Sequence, residues 1–210
     1  MITETLYSDY LMALLAGSKP VCAEIVSTLL DAETPIKRIY LDLFQRSLYE
    51  IGTMWERNAI SVSTEHLASS ITESLLNLIY PKLFMSERRG RKAVIACCAA
   101  EHHQIGAKIV ADFFEIHGWD SYFLGADTPA DALVKMIDLK KPDLVGLSIA
   151  IYFNVPSLKT MIEEVKTTFE ELPILVGGQA FLHGGRDFLK ASPGVEYIDS
   201  LESLERDVLS

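Results

Sequence analysis

Glu101, His103 and Gly106 stand in the run Glu101-His102-His103-Gln104-Ile105-Gly106, directly after an apolar segment that reads as a strand. A carboxylate, one spacer, a histidine, two spacers and a glycine at a strand-to-helix loop can build a metal site. His103 offers one ring nitrogen to a metal, and Glu101 accepts a hydrogen bond from the other. That bond fixes the tautomer and makes the imidazole a better donor. Gly106 opens the next helix and lets a large ligand approach the backbone. His102 is expected to face solvent. A plain polar loop after a strand end would use the same residue types, so the rest of the chain must decide.

A second constellation lies earlier: Trp55, nine residues, then Glu65-His66. Trp55 falls at the end of one helix, and the pair falls in the first turn of the next. That next helix, about 63–80, splits into an apolar stripe (Leu67, Ile71, Leu75, Leu78) and a polar one (His66, Ser70, Glu73, Asn77). The plain reading makes the polar stripe a solvent face, Trp55 part of a core and Glu65 a complement to the helix dipole. Brought together at a helix junction, the same residues could roof a cofactor.

The elements that must position these residues have two grammars. Residues 1–86 show helical spacing in four segments with short connections, which implies a four-helix bundle. From residue 92 strand and helix alternate. Strands are expected at 93–99, 121–124, 144–151, 174–176 and 196–198, and helices at 106–117, 130–139, 155–169, 185–191 and 201–209. This half, 91–210, reads as a doubly wound, five-stranded parallel sheet of flavodoxin-like, Rossmann-like order, so the chain is α/β with an N-terminal bundle. The charged stretch 86–91 reads as a solvated linker.

In such a sheet, ligands bind beyond the carboxyl ends of the strands, where strand order reverses. The loops expected there carry Glu101 and His103, then Asp127-Thr128-Pro129, Ser148, and Gly177-Gly178-Gln179. Asp127-Thr128-Pro129 is also a helix-start signal, and paired glycines also make ordinary turns. His117, at a helix C-terminus, suits a dipole contact. His183 has no sequence neighbours that suggest chemistry.

Composition narrows the classes. With 49% hydrophobic and 23% charged residues, the chain is globular. Its net charge of −10 and lack of a cationic stripe argue against direct nucleic-acid binding. No apolar run reaches membrane-spanning length, and the first residues lack a signal-peptide pattern. Three cysteines, two of them adjacent, suit reduced thiols in a cytoplasmic protein rather than a disulfide framework or zinc site.

The second half resembles the cobalamin-binding domain of methionine synthase, corrinoid methyl carriers and cobalamin-dependent mutases. Their motif is Asp-x-His-x-x-Gly, matched by Glu101, His103 and Gly106 with Glu for Asp. The resemblance implies that His103 is the metal ligand, displacing the cofactor's own benzimidazole from cobalt. It implies that Gln104 and Ile105 line the same loop. It also implies that Ser148-Ile149-Ala150 and Gly177-Gly178, with Gln179, line the slot for the displaced nucleotide tail. The first half resembles the adenosylcobalamin-dependent photoreceptor regulators of the CarH/LitR type. There the residues matching Trp55, Val62, Glu65 and His66 pack over the upper axial group, so residues 1–86 would cap the cofactor. Gly125-Ala126-Asp127-Thr128-Pro129 and Gly177–Phe181 also look like that group. Two departures matter. The sequence starts at the bundle without the regulators' DNA-binding domain, and Glu56 stands where the light-responsive regulators carry a histidine.

The resemblance implies a stand-alone cobalamin-binding sensor and not an enzyme. It would respond to light or to its upper ligand, hold adenosylcobalamin base-off and His-on, and pass its signal to a partner protein or through self-association. A corrinoid methyl carrier of a methyltransferase system is the alternative. A haem or linear-tetrapyrrole sensor on the same fold comes third.

Overall fold

The computed structural model describes residues 2–189 and 192–209. They form two compact units that divide after Lys82. The first is helical: α1 (Glu4–Leu15), α2 (Lys19–Asp31), α3 (Ile36–Arg38), α4 (Arg46–Glu56) and α5 (Val62–Ile79). Thr3 and Ser61 cap α1 and α5 through their hydroxyl oxygens, which accept from the N–H groups of Leu6 and Thr64. α3 runs into α4 through a π-helical stretch (Ile39–Gln45), within which Ile39, Tyr40, Leu43 and Phe44 are fully buried. One of the four expected helical segments is therefore an α–π–α rod over 36–56.

The apolar stripe of α5 differs from expectation. Ala68, Ile71, Thr72, Leu75, Leu76 and Ile79 are buried, whereas Leu67 and Leu78 are 40% and 39% exposed. A threonine hides inside because its hydroxyl donates to the Ala68 carbonyl at 2.9 Å, so polarity alone misjudged the buried face.

The second unit holds one parallel sheet in the order β2-β1-β3-β4-β5. The strands are β1 (Lys92–Cys97), β2 (Asp120–Phe123), β3 (Leu144–Ser148), β4 (Ile174–Gly177) and β5 (Val195–Tyr197). The helices between them are α6 (Ile105–Ile116), α7 (Ala130–Lys140), α8 (Val155–Thr168) and α9 (Leu201–Leu204). The expected fold class is the one found, with the order reversing between β1 and β3. Val94, Ala96, Val145, Leu147, Ile174 and Val176 form a core with Leu133, Leu158, Ile162 and Val165. The register sets Cys97 beside Ser148 and Ser148 beside Gly177, so three strands end level.

Three details correct the sequence reading. β1 and β3 stop short of residues 99 and 151, because the chain turns through Ala100 at φ 65° and through the loop after Ser148. Over the described residues 185–189, the helix expected at 185–191 is not formed. Gln179–His183 makes a short 3-10 helix, and Gly184 and Gly185 then take φ 113° and 81°, outside the helical region; residues 190 and 191 lie outside the described residues. The stretch read as a solvated linker is tied down: the Arg89 N–H donates to Gly118 O, Arg88 donates to Trp119 O and Glu115, and the Arg89 guanidinium donates to Leu209 O.

His117 Nδ1 lies 2.8 Å from the Phe113 carbonyl, in keeping with a helix-end contact. Cys22, Cys97 and Cys98 are buried and free. Burial, with the Glu101 charge nearby, pushes the Cys97 thiol up to about 12, so it stays protonated. Among the described residues no helix is long and apolar enough to cross a membrane.

Two glycine substitutions test this packing. At Gly178, φ is 114° and a Cβ would stand 1.9 Å from Ile149 O. Gly178→Ala should therefore cost about 3 kcal/mol in urea unfolding. At Gly52 in α4, a Cβ would meet nothing within 4 Å, and Gly52→Ala should gain about 0.5–1 kcal/mol.

Candidate functional site

The loop between β1 and α6 is organised around one carboxylate. The Glu101 side chain is fully buried, and it collects five donors. Its Oε1 accepts from the His103 N–H at 2.9 Å and faces His103 Nδ1 at 2.6 Å. Its Oε2 accepts from the N–H groups of Ala150 and Ile151 at 2.9 and 3.0 Å and from Asn154 Nδ2 at 3.1 Å. Burial alone would raise its pKa, but the bonds from His103, Ile151 and Ala150 outweigh that and hold it at about 2. An ionised carboxylate only accepts hydrogen bonds, so Nδ1 of His103 carries the proton. In the neutral ring, Nε2 is then the nitrogen that a metal would take. The His103 side chain is 57% exposed, and His102 beside it is exposed as well.

Neighbouring loops hold this one in place. Ala100 and Asp127 are both left-handed, at φ 65° and 47°. For an alanine this conformation costs roughly 1–2 kcal/mol. Asp127 Oδ1 accepts from the Ala100 N–H at 2.7 Å, and the Asp127 N–H donates to Glu101 O at 2.9 Å. Asn154 Nδ2 reaches Ala100 O at 3.2 Å as well as Glu101. Gln104 Oε1 accepts from the Ala126 N–H at 3.2 Å, and the Thr128 N–H donates to Cys97 O at 3.2 Å. Asp127, Gln104 and Thr128, expected to touch a cofactor, are thus found joining two loops to each other.

The other expected residues fall as follows. Ile105 starts α6, half-buried, and Gly106 follows it, exposed, with nothing within 4 Å of where a Cβ would stand. Ser148 and Gly177 are half-buried at the level strand ends, and Gly178 and Gln179 follow, exposed. Gly178 has its own structural reason to be glycine, given its approach to Ile149 O. In the helical unit Trp55 lies at the end of α4, with Val62, Glu65 and His66 at the start of α5, so a short loop sets all four at one end of the bundle. Trp55 and Val62 are large exposed apolar residues. His66 Nδ1 lies 2.6 Å from Glu65 Oε2, and Ser69 donates to Glu65 Oε1 at 2.8 Å.

Sequence reasoning missed Ile151 and Asn154, and it missed that the Ala150 amide serves Glu101. Asn154 precedes Val155-Pro156 and so carries a helix-start signature, yet its side chain makes no cap and turns to Glu101 instead. It also missed the apolar tips at the same sheet edge: Ile151, Tyr152 and Phe153 after β3, and Leu182 after β4, with Phe153 89% exposed.

This donor set suits a metal that arrives inside a macrocycle, where the ring fills the equatorial positions and the protein supplies one axial nitrogen. An exposed imidazole of fixed tautomer, open space over Gly106 and apolar side chains on the same edge are what a broad, flat cofactor needs. A family model of the B12 binding domain matches residues 91–203, and a second model, also a B12 binding domain, matches residues 6–80. The chain belongs to the B12-binding domain family and carries a domain for a corrinoid cofactor. It is 32% identical over 185 residues to the HTH-type transcriptional repressor CarA of Myxococcus xanthus, covering 86% of this chain and 61% of that one. It is 27% identical over 179 residues to the repressor CarH of the same organism, covering 84% and 58%. The chain thus spans about three fifths of the length of these two relatives. Among solved structures, the monomethylamine corrinoid protein of Methanosarcina barkeri has the same fold, with a TM-score of 0.84 at 14% identity and 98% of each chain covered.

Glu101 gives a pH test. Its folded pKa lies below the ordinary glutamate value near 4.5, so the ionised form is the one that folding favours. The stability it lends is whole above pH 4.5 and fades as pH falls toward 2. The stability gap between wild type and Glu101→Gln should close as pH falls below 5 in urea unfolding. A gap independent of pH down to 3 would contradict the assignment.

Proposed function

We propose that this chain is a cobalamin-binding sensor that holds its cofactor base-off, with His103 as the lower ligand through Nε2. The observation that carries the reading is the pairing of His103 Nδ1 with the buried Glu101 carboxylate at 2.6 Å on an exposed ring. The nucleotide tail would lie along Ser148, Gly177, Gly178 and Gln179. Trp55, Val62, Glu65 and His66 would cover the upper face, with the helical unit as a cap. Adenosylcobalamin is the favoured form. When bound, it supplies a cobalt–carbon bond open to light or ligand exchange, and the protein supplies geometry. Loss of the upper group would change what the cap packs against and bias a two-state element. Output would then pass to a partner protein or through a change of self-association. Free buried thiols suit a cytoplasmic setting.

Likeness to two repressors supports a regulatory role over catalysis. Glu56 cannot give a second imidazole from the position after the tryptophan, so a light state with two histidines through that residue is not part of the proposal. The methyl-carrier alternative has a fold likeness behind it, and fold alone does not choose a function.

The test loads the protein with adenosylcobalamin in the dark and records spectra and size before and after green light. The sensor reading predicts a spectral change coupled to a change in size or partner binding. Unchanged spectra and size would contradict it, and turnover of methylcobalamin with a methyl donor would put the carrier in its place. His103→Ala should weaken corrinoid retention by about 100-fold, the upper end of what losing a ligand's support alone costs.

A further inference from the structure

Ala100 is an alanine in a conformation suited to glycine, and both of its peptide groups are gripped from outside its own loop. Its N–H donates to Asp127 Oδ1 at 2.7 Å, from the loop between β2 and α7. Its C=O accepts from Asn154 Nδ2 at 3.2 Å, from the loop between β3 and α8. The next residue is Glu101. Asp127 grips that residue too, its N–H donating to Glu101 O at 2.9 Å, and Asn154 grips it at Oε2, at 3.1 Å.

We infer that Asp127 and Asn154 are positioning residues for the lower ligand, which clamp Ala100 in its left-handed turn from two sides and so deliver Glu101 to His103. The inference rests on the proposal that His103 ligates the corrinoid, and it assigns the tuning of that ligand to two residues outside the motif. Left-handed alanine is unfavourable and has no side-chain group to stabilise itself. Without the clamps the backbone at residue 100 relaxes toward extended or right-handed values. The Glu101 carboxylate then moves away from Nδ1, and the ring loses its fixed orientation. A glycine at position 100 would adopt φ near +65° without the penalty that alanine carries.

That difference supplies the test. The full chain is titrated with aquocobalamin, and both retention on dialysis and the absorption spectrum, which reports imidazole or water on cobalt, are read. Asp127→Ala should weaken retention about tenfold, equivalent to about 1.4 kcal/mol, and move the spectrum toward water ligation. Asp127→Asn keeps an acceptor oxygen and should stay close to wild type. Adding Ala100→Gly to Asp127→Ala should restore most of the retention and the imidazole spectrum, whereas Ala100→Gly alone changes neither. A merely structural aspartate would not be rescued by a change in the backbone preference of another residue. Should Asp127→Ala melt too low to load, Asn154→Ala with and without Ala100→Gly makes the same comparison, with partial rescue expected because its bond to Glu101 is lost as well. Asp127→Ala with wild-type retention and spectrum, or a loss that Ala100→Gly leaves untouched, would overturn the inference. Equal uptake by wild type and His103→Ala would overturn the lower-ligand reading itself, so the two failures are distinct.

Discussion

A carboxylate buried away from water stays ionised only if donors replace its hydration, and Glu101 has five of them within 3.1 Å. That single group sets the tautomer of His103, ties the β1–α6 loop to the β3–α8 loop, and fixes which ring nitrogen is offered to a metal. The sheet makes this possible. β1 and β3 are neighbours and end level, so a glutamate just beyond one reaches backbone amides just beyond the other. The two oxygens divide the work: Oε1 serves the histidine while Oε2 spans to the next loop.

The rest of the edge follows from the same geometry. Gly178 passes against the Ile149 carbonyl, where any side chain would collide. Gly106 has the opposite setting, open space that fold packing does not use. Glycines of one motif set can thus serve different ends: one keeps two backbones close, and the other leaves room. The loops after β3 and β4, at the same edge of the sheet, carry exposed apolar side chains at Ile151–Phe153 and Leu182, and an oriented imidazole with apolar surface at one sheet edge is a coherent setting for a flat ring.

Much of this could be read from residues alone. The strand-helix alternation placed all five strands, and the order β2-β1-β3-β4-β5 put the Glu101–His103 loop at the reversal point. Glu101 and His103 are two residues apart, and their pairing is a local fact that spacing can announce. The donors from residues 150, 151 and 154 are some fifty residues away, and two of them are backbone groups that no residue type advertises. Asp127 has a second task that its position alone does not announce. Its carboxylate accepts from the Ala100 N–H, and only the left-handed turn at Ala100 shows why an acceptor is needed there. In α5 the buried Thr72 shows the same limit, because a side chain that satisfies itself on its own helix is not polar in effect.

The central claim is a bond between one protein imidazole and the cobalt of the cofactor. It is tested most directly by electron paramagnetic resonance of the protein loaded with cob(II)alamin, after growth on 15N-labelled histidine. An axial nitrogen splits each cobalt line into three if it is 14N and into two if it is 15N. The account predicts triplets in unlabelled protein that become doublets in labelled protein and vanish in His103→Ala. Triplets that persist in the labelled protein would mean that the cofactor's own base holds the metal, and the account would fail.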